Sequence, residues 1–557
     1  MGFLNGLPKL PARMKPGHMA YYRDLREYLA RLEQVGKLRR ITDAVDKDRD
    51  LHPLVKWQYR GLDEAERFGF LFEQVAGRDG RIFNGQVASS VIAPNREVYA
   101  LALGCSLEEV HSRWTRAFRS PIPPKRVSTG SVKEEVHKGP SLLKHGGLEE
   151  FPIPFATNGW EAFPRITAAA VFSRDPDTGI VNVGMYNSQV YGPIRANVAT
   201  SRHLHLHWEK CRKQGVPLQV AVVIGSVPVV SFVAATDVPH GVCEIDIAGG
   251  LIGEPIEMIP CETVDLEVPA TAEVVIEGEL PTDYMDEEGP TGENRGHVKT
   301  GGPVHALHVR CVTHRRSPIW HDIICQFPPS ESSVMRSVNC EGRVLALLQA
   351  HGIPHVQDVA FHHCGSARHL CVVRFQEIGG RRPMSKDVWH TLYTVMSVDP
   401  AWPKVIIGVD NDIDPRDLES VFWAIINRHQ PHRDVKIIQG RGAALDESVK
   451  PHGPATGGSP IVSHGSAQEA SIILIDATRK WPNPPISLPR REHMERARDL
   501  WQRLGLPPLK PRVPWYGVSL GHWPEEVARL VELAEQGQGE EAARLLMSRG
   551  YKLDKGH

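Results

Sequence analysis

Short segments rich in β-branched residues dominate the chain between about residues 165 and 325. Gly, Pro or Asp bounds each of them, and they read ITAAAVFS, GIVNVGMYNSQV, LQVAVVIG, VVSFVAA, VDLEVPA, AEVVIEGEL and PVHALHVRCVTH. Val, Ile and aromatic side chains favour extended backbone, whereas Gly, Pro and Asp favour the turns between strands. This pattern predicts a β-rich domain with one helix inserted near residues 199–214.

Strand-like and helix-like segments alternate after about residue 330. HVQDVAFHH, WPKVIIGVD and DVKIIQG are strand-like, whereas SKDVWHTLYTVMS and PRDLESVFWAIINRH are helix-like, the second opened by Asp414-Pro415. Such alternation predicts an α/β layer domain. A proline-rich irregular segment follows, and then two predicted tail helices at 491–504 and 524–548.

The start of the chain predicts an amphipathic helix within residues 21–38, ending near Gly36. The apolar face expected to be buried comprises Leu25, Tyr28, Leu29, Leu32 and Val35. PIPPKR at 121–126 predicts a linker, because closely spaced prolines resist both helix and sheet. We therefore expect an N-terminal α/β region at 1–120, a β domain at 121–330, an α/β domain at 331–490 and a helical tail at 491–557.

Charge and motif content exclude several classes of protein. Lys and Arg total 65 and Asp and Glu total 66, so no nucleic acid or anionic membrane is expected as a partner. The apolar stretch 216–235 contains two prolines, and it predicts two buried strands joined by a turn at 225–228 rather than a membrane span. No phosphate-binding GxxxxGK[ST] motif occurs.

The cysteines and the first twenty residues of the sequence indicate the cellular compartment of the protein. Nine cysteines include no CxxC pair, and their number is odd, so a reducing environment is expected. MGFLNGLPKLPARMKPGHMA lacks the long apolar core of a signal peptide. The sequence therefore predicts a cytoplasmic protein.

Glu288 and Glu293 frame the motif EGPTGE. Gly and Pro build tight turns, which can bring both carboxylates to one side of a pocket. Neighbouring carboxylates push their pKa values apart, so one of them can hold a proton near neutral pH and donate it. The alternative is an acidic surface loop, which Asp286 and Glu287 favour.

Asn182, His203 and Glu244 offer nitrogen and oxygen donors suited to Mn²⁺ or Mg²⁺, although their spacing alone is no metal signature. His203, His205 and His207 alternate within the predicted helix. Alternate residues on a helix diverge by about 200°, so these three side chains are not expected to share one ion. We expect His205 and His207 to be partly exposed.

Motifs in order along most of the chain resemble those of the UbiD family of reversible decarboxylases. They are DLREYLARLEQVGKLRRI, NVGMYNSQV at 182–190, DVPHGVCEIDIAGGLIGEPIE, VDLEVPATAEVVIEGEL, EGPTGE and IDATRKWP at 475–482. The tail PWYGVSLGHWPEE resembles that of members acting on hydroxylated aromatic acids. The order and spacing of the motifs carry the resemblance more than any single motif does.

The resemblance implies an α+β fold, in which a split β-barrel binds the flavin. A small N-terminal α/β region and a C-terminal α/β oligomerisation domain flank that barrel. The implied cofactor is prenylated FMN, supplied by a separate flavin prenyltransferase. Mn²⁺ (or Mg²⁺) and K⁺ would tie its phosphate to the protein. The implied assembly is a homodimer or a higher homo-oligomer.

The resemblance also assigns roles to individual residues. The implied metal ligands are Asn182, His203 and Glu244, with His205 as the alternative to His203. The implied cofactor-binding residues are these three together with Arg202, Thr236 and Lys386. The implied catalytic residues are Glu288, Glu293 and Asn187, with Glu293 as the proton donor.

Asn187 departs from the family pattern, which has Arg five residues after the metal-binding Asn. A neutral amide supplies no charge, so the two acids are expected to lack their usual cation and to have raised pKa values. Arg195 and Arg295 are close in sequence and are alternative sources of the charge.

These features predict a carboxy-lyase that removes CO₂ from an aromatic or conjugated carboxylic acid, or adds it in reverse. The cofactor would act as the electron sink, and Glu293 would protonate the reacting carbon. One alternative is the catalytic subunit of a multi-subunit aromatic carboxylase acting on a phosphorylated or thioester substrate. Another is a non-catalytic flavin-binding homologue, which the presence of both Glu288 and Glu293 disfavours.

Overall fold

The structure is a computed structural model. It describes residues 21–239, 241–299, 301–325, 327–398, 403–440, 446, 448–449, 470–511 and 524–550. The chain divides into two compact units: residues 1–346, 362–369 and 442–470 form the first, and residues 347–361, 370–441 and 471–557 form the second. The tail motif expected to begin at residue 514 lies mostly outside the described residues.

Strands dominate the first unit. In chain order they are β1 Leu38–Asp46, β2 Gly69–Ala76, β3 Gln86–Ser89, β4 Lys125–Arg126, β5 Glu135–Lys138, β6 Arg165–Ile166, β7 Ala170–Arg174, β8 Val181–Met185, β9 Ser188–Gly192, β10 Arg195–Val198, β11 Leu218–Ile224, β12 Glu257–Pro260, β13 Glu267–Pro269, β14 Val274–Leu280, β15 Asp286–Glu287, β16 Thr291–Gly292, β17 Val298–Lys299, β18 Pro303–His314 and β19 Ile319–Asp322. The β-rich character predicted from the short apolar segments is confirmed.

Helices α1 to α8 belong to the first unit, and α9 begins in it. Their bounds are α1 Leu25–Gln34, α2 Leu51–Gly61, α3 Arg96–Ala102, α4 Val110–Arg119, α5 Pro140–His145, α6 Arg202–Gln214, α7 Pro228–Ala234, α8 Glu244–Ile252 and α9 Glu331–Ala350. The predicted helix near 199–214 is confirmed as α6.

A ten-stranded antiparallel sheet forms the centre of the first unit. Its order is β6-β9-β10-β18-β14-β11-β7-β8, and β5 and β15 also pair with β18. The inner strand β11 pairs along its length with β14 and, at Val220–Val223, with β7. Nearly every side chain of β11 is buried, which explains its continuous apolar sequence. Two large clusters of buried apolar residues involve this sheet.

Smaller sheets complete the first unit. β1, β2, β3 and β19 form a four-stranded sheet, β4 joins β12 and β13, and β16 pairs with β17. The segment predicted as a linker at 121–126 therefore ends in a short strand, because β4 pairs in parallel with β12.

The prediction of two buried strands at 216–235 was wrong for the second half of this stretch. The first half is the expected strand β11, but residues 228–234 form the helix α7, whose side chains are all buried. Pro228 stands at the first helical position, where its missing N–H costs nothing. A helix buried on every side shows no amphipathic period, so its sequence resembles that of a buried strand. Within the described residues, we find no helix that is both long and apolar enough to cross a membrane.

Helix α1 matches its predicted apolar face except at one position. Leu25, Tyr28, Leu29 and Leu32 are buried, and Asp24 caps the helix by accepting the N–H of Glu27. The prediction for Val35 was wrong, because this residue follows the last helical turn and its side chain is exposed. Gly36 ends the helix with a φ of +72°, a backbone conformation that glycine adopts without steric cost.

The second unit contains a five-stranded mixed sheet. Its strands are β20 Val356–Phe361, β21 Leu370–Phe375, β22 Val405–Val409, β23 Val435–Gln439 and β24 Ser471–Asp476, in the order β20-β21-β22-β24-β23. Its helices are α10 Ser385–Ser397, α11 Leu418–Arg428, α12 Pro431–Asp434, α13 Arg491–Arg503, α14 Glu525–Glu535 and α15 Gly539–Met547. The predicted alternation of strands and helices is confirmed here.

Two boundaries in the second unit differ from expectation. Helix α11 begins at Leu418 after Asp417, not at Asp414-Pro415. The single tail helix expected at 524–548 is two helices, because Gly537 adopts a φ of +78° between α14 and α15. The mixed α+β character of the chain is confirmed, whereas the four domain boundaries proposed from the sequence stay a prediction.

Candidate active site

A cleft in the first unit, with a water-accessible volume of about 280 Å³, collects most of the predicted cofactor-binding residues. The end of β8, the start of α6, the segment after α7 and part of α9 line it. Of the candidate residues, it contains Asn187, Arg202, His203, Thr236 and Glu244. These residues come from segments far apart in the chain, and the packing of β8 against α7 and α8 brings them together.

Glu244, the first residue of α8, is a buried acid at the cleft. Its carboxylate accepts the backbone N–H of Val183 at 2.8 Å. Burial raises the pKa of Glu244 to about 7, and the backbone hydrogen bonds only partly oppose this effect. A carboxyl group with such a pKa is ionised only in part near neutral pH, and an approaching cation would favour its ionised form.

Asn182 and His203 line a small cavity next to the cleft that contains this acid. Asn182 on β8 is buried, and its Nδ2 has no hydrogen-bond partner among the described residues. A small cavity lined by both Asn182 and His203 adjoins the cleft, and His203 also lines the cleft itself beside Glu244. The three predicted metal ligands therefore share two neighbouring cavities.

Helix α6 turns His205 away from the cleft, whereas His203 and His207, four residues apart, line the same small cavity. His205 is partly exposed, as expected; its ring centroid lies 5.6 Å from that of the buried His305, and it does not line the cleft. His207 is buried, and its Nδ1 lies 3.0 Å from the hydroxyl oxygen of Ser173. The expected partial exposure of His207 was wrong, because α6 packs this face against β7.

Arginines and one aspartate form a charged wall of the cleft. Asp237 makes ion pairs with Arg202, with Arg343 at 3.2 Å and with Arg368 at 3.8 Å. Burial would raise the pKa of Asp237, but the positive charges of Arg368, Arg202 and Arg343 outweigh it and lower that pKa. Such a wall suits an anionic ligand, because guanidinium groups bind phosphate and carboxylate strongly.

Arg202 also has an unusual backbone. Its φ of +53° lies in the left-handed region, which residues other than glycine rarely adopt. Conformations of this kind cost of order 1–3 kcal/mol and are found preferentially at functional sites. Ser201 precedes it, and the carbonyl of Ser201 accepts the hydroxyl of Tyr186 at 3.1 Å.

Arg336 on α9 was missed by the sequence analysis. It lines the cleft, and its Nη1 is buried without a hydrogen-bond partner in the part of the chain that the structure describes. Burial lowers the pKa of Arg336. Its charge is nevertheless close enough to Glu293 to lower the pKa of that acid. No local motif marks Arg336, because its position depends on how α9 packs.

The two acids of EGPTGE occupy different surroundings. Glu288 is buried between β15 and β16, and its backbone N–H donates to the carbonyl of Gly302 at 2.9 Å. Its carboxylate forms an ion pair with Lys299 of β17. The alternative of an acidic surface loop is therefore wrong for Glu288, because β16 and β17 fold back over it.

Glu293 follows β16 and is partly buried. Burial is the main cause that raises the pKa of Glu293, and the negative charge of Glu288 raises it further. The positive charges of Arg165, Lys299 and Arg336 lower the same pKa. Neither Glu288 nor Glu293 lines the cleft defined above.

Arg165 holds Gly292, the residue that precedes Glu293. This fully buried guanidinium donates two hydrogen bonds of 3.1 Å to the carbonyl of Gly292. It also pairs with Glu161 at 3.0 Å. The carboxylate of Glu161 accepts the N–H of Gly292 at 3.1 Å, so one ion pair fixes both polar groups of that residue.

The expectation that the acid pair lacks a cation was wrong. Lys299, not Arg195, faces Glu288, since Arg195 pairs with Asp286 at 2.8 Å. Arg295 is the other candidate: burial lowers its pKa to about 10, and Glu293 is among the charges that act on it. Asn187 lines the cleft, and its backbone carbonyl accepts a hydrogen bond from the backbone N–H of Ala199 at 3.0 Å.

Lys386 lies in α10 of the second unit, where its side chain is exposed. Its predicted role near the cofactor stays a prediction.

Comparison with known proteins shows the family to which the chain belongs. The family model described as 3-octaprenyl-4-hydroxybenzoate carboxy-lyase Rift-related domain matches residues 125–328. The model for the C-terminal domain of the same enzyme matches residues 333–465. An uncharacterized protein of Archaeoglobus fulgidus is 28% identical over 488 residues, which cover 83% of this chain and 92% of that protein.

Solved structures extend the likeness to the fold. The UbiD-class enzyme HmfF from Pelotomaculum thermopropionicum in complex with FMN is 31% identical, with a TM-score of 0.73, over 85% of this chain and 99% of that one. An evolved dimeric form of the same enzyme in complex with prFMN is 30% identical, with a TM-score of 0.72, over 86% of this chain and 100% of that one. The vanillic acid decarboxylase of Sedimentibacter hydroxybenzoicus in open form is 25% identical, with a TM-score of 0.70, over 87% of this chain and 100% of that one. The chain therefore belongs to the UbiD family of prenylated-FMN-dependent carboxy-lyases.

Proposed function

We propose that this protein catalyses the reversible, non-oxidative decarboxylation of an aromatic or conjugated carboxylic acid, with prenylated FMN bound in the cleft. The observation that carries the proposal is that His203 and Glu244 line this cleft together with its arginines, while Asn182 and His203 line the small cavity next to it. HmfF structures with FMN and with prFMN are similar to this chain, which supports the choice of cofactor.

The donor set at the cleft fits the phosphate end of a flavin nucleotide with a divalent ion. Arg202 and Thr236 would contact the phosphate. Asn182 and Glu244 would offer Mn²⁺ (or Mg²⁺) the oxygen donors that these ions prefer, and His203 would add one imidazole. A cation there would ionise Glu244, whose pKa burial raises to about 7. His203 is favoured over His205 because only His203 lines the cleft. K⁺ would serve as a second cation, and Lys386 would approach the ring.

When bound, prenylated FMN would supply the electron sink for cleavage of the bond to CO₂. The protein would supply the proton: Glu293, whose pKa is raised mainly by burial, would donate it to the carbon that loses CO₂. In carboxylation the ionised Glu293 would remove the same proton. Glu288, held by Lys299, would keep a second negative charge close to the donor and so favour its protonated form.

Asn187 would narrow the range of substrates. An amide cannot hold a carboxylate through the two-point ionic contact that an arginine makes. We infer that substrate recognition relies on a further group, such as a ring hydroxyl or a second acyl group. The arginines of the cleft would attract an acid of this kind.

The test is to express the chain together with a flavin prenyltransferase and to record its mass and absorption spectrum. The parent should contain a flavin heavier than FMN by one prenyl unit and should release CO₂ from hydroxylated aromatic acids more readily than from benzoic acid. Glu244→Ala should lose both flavin and Mn²⁺. Asp246→Ala is the matched control, because Asp246 lies on the same helix but does not line the cleft.

Full flavin occupancy in Glu244→Ala would contradict the bridging role of this acid. A parent protein that binds the flavin yet releases no CO₂ from any aromatic or conjugated acid would contradict the proposed reaction.

A further inference from the structure

Three histidines meet in the first unit, and none of them lines the cleft. His137 lies in β5, His145 is the last residue of α5, and His314 is the last residue of β18. Each ring offers one nitrogen, and these three nitrogens all lie within 4.8 Å of one another.

The antiparallel pairing of β5 with β18 fixes two of the rings. Val312 stands opposite His137 in this ladder, and His314 lies two residues beyond Val312. Side chains two residues apart on a strand share a face, so His137 and His314 are diagonal neighbours on one face. The short helix α5 follows β5 and carries His145 back to the same place, where its ring stacks on that of His137 with centroids 3.8 Å apart.

Hydrogen bonds determine which nitrogens remain available. Nδ1 of His314 lies 2.7 Å from the carbonyl of Arg315, so this nitrogen carries the proton and Nε2 keeps its lone pair. Nε2 of His314 lies 3.1 Å from Nε2 of His137. Nδ1 of His145 is buried and has no hydrogen-bond partner among the described residues.

We propose that His137, His145 and His314 form a binding site for a divalent first-row transition-metal ion, with Zn²⁺ as its representative. Two imidazole nitrogens at the usual zinc–nitrogen distance are about 3.3 Å apart in a tetrahedral site. The 3.1 Å between the His137 and His314 nitrogens is already close to that value. The second torsion of a histidine is broad, so the stacked ring of His145 turns toward the ion at small cost.

The chemistry of the three rings selects the class of ion. Imidazole donors suit zinc, nickel, cobalt and copper, whereas magnesium and manganese prefer oxygen. The carbonyl bonded to His314 orients that ring, as outer partners of metal-bound histidines commonly do. The partly exposed His145 leaves room for water as a fourth ligand.

Carboxylates lie near the cluster, and two of them also pair with arginines, Glu150 with Arg81 and Glu135 with Arg316. Glu150 and Glu135 act on His145, and Glu135 and Glu134 act on His314. Burial, followed by the charges of His137 and His314, lowers the pKa of His145 to about 4. The ring is therefore neutral near pH 7, as a metal ligand must be. A bound ion would link β5, α5 and the end of β18, and it would take no part in the decarboxylation.

The test measures Zn²⁺ binding to chelator-treated full-length protein by equilibrium dialysis. The parent should bind one equivalent more than His145→Ala or His314→Ala. His308→Ala should match the parent, because His308 lies on the same strand β18 but outside the cluster. Circular dichroism checks that each variant is folded.

A second measurement uses only the parent, so it holds even if a variant fails to fold. Cu²⁺ bound to the parent should give an electron paramagnetic resonance signal with nitrogen coupling from three imidazoles, whereas the cleft offers one proposed imidazole ligand, His203. Equal Zn²⁺ binding by the parent and a folded His145→Ala, or a Cu²⁺ signal without a three-imidazole component, would overturn the proposal and leave a hydrogen-bonded histidine stack.

Discussion

Glu288 and Glu293 are five residues apart on either side of the short strand β16, yet their partners differ. Glu288 forms an ion pair with a lysine, whereas Glu293 is affected mainly by burial, which raises its pKa. Two nearby acids in unequal surroundings are typical of sites that transfer protons. This difference supports Glu293 as the donor.

We expect Glu293→Gln to abolish product formation, because glutamine keeps the shape of the side chain but cannot donate the proton. Loss of a general acid costs on the order of 10²–10⁴-fold in rate. The measurement is CO₂ release together with solvent deuterium incorporation at the reacting carbon. In the parent, activity should fall as the pH rises through the raised pKa of Glu293, because the donor is protonated only below that pKa.

Glu287→Gln is the matched control for this variant, since Glu287 is exposed in the same segment. Deuterium incorporation that continues at the parent rate in Glu293→Gln would show that another group is the acid.

Lys299 supplies the charge that Asn187 does not. Because Lys299 lowers the pKa of Glu293, Lys299→Gln should raise that pKa further. The alkaline limb of the kcat/KM profile should therefore move to higher pH in Lys299→Gln and stay near its parent position in Lys299→Arg, which keeps the charge. The measurement is kcat/KM against pH for all three proteins. Identical profiles would remove Lys299 from the proton-transfer machinery.

At the scale of elements, α7 shows how burial overrides local pattern. Its sequence resembles a strand, but Pro228 begins a helix whose side chains are all buried. Phe232 in α7 stacks on Tyr99, with ring centroids 4.3 Å apart. This helix packs against both β8 and α8, so its stability supports the position of Glu244.

Phe232→Ala should destabilise the first unit by about 3–5 kcal/mol, the usual cost of truncating a buried phenylalanine. The comparison is with Phe118→Ala, because Phe118 has 41% of its surface exposed and Phe232 has none. The free energy of unfolding is measured by urea titration, followed by tryptophan fluorescence. Equal losses in the two variants would contradict a packing role for α7.

At the scale of the whole molecule, the first unit carries the proposed metal ligands, both acids and the cleft arginines, whereas Lys386 lies in the second unit. Glu244, Glu288 and Glu293 belong to that unit, as do the arginines of the cleft. The balanced charge of 65 basic and 66 acidic residues gives no reason to expect a strongly charged partner.

We therefore expect the purified chain, loaded with cofactor, to release CO₂ without any other subunit. We also expect it to form a homodimer or a larger homo-oligomer, as the family resemblance implies. Light scattering during size-exclusion chromatography gives the assembly, and a CO₂ assay on the same fractions gives the activity. Activity that appears only after a different subunit is added would favour the multi-subunit carboxylase instead.

Local patterns in the sequence were sufficient for several features of the fold and the site. The strand-rich centre and the alternating second unit follow from residue spacing and from the turn-forming residues between segments. Helix α6 was predicted, although His203 and His207 line one small cavity. The EGPTGE motif identified two acids in one short segment because its glycines and proline act locally.

Only the tertiary structure decided what surrounds those residues. Lys299 pairs with Glu288 because β16 and β17 fold back on each other, and Arg336 reaches the cleft through the packing of α9. The three clustered histidines likewise meet through strand pairing. Burial, charge pairing and pKa depend on neighbours that are distant in sequence, so a periodic pattern reports an element but not the partners that its side chains acquire.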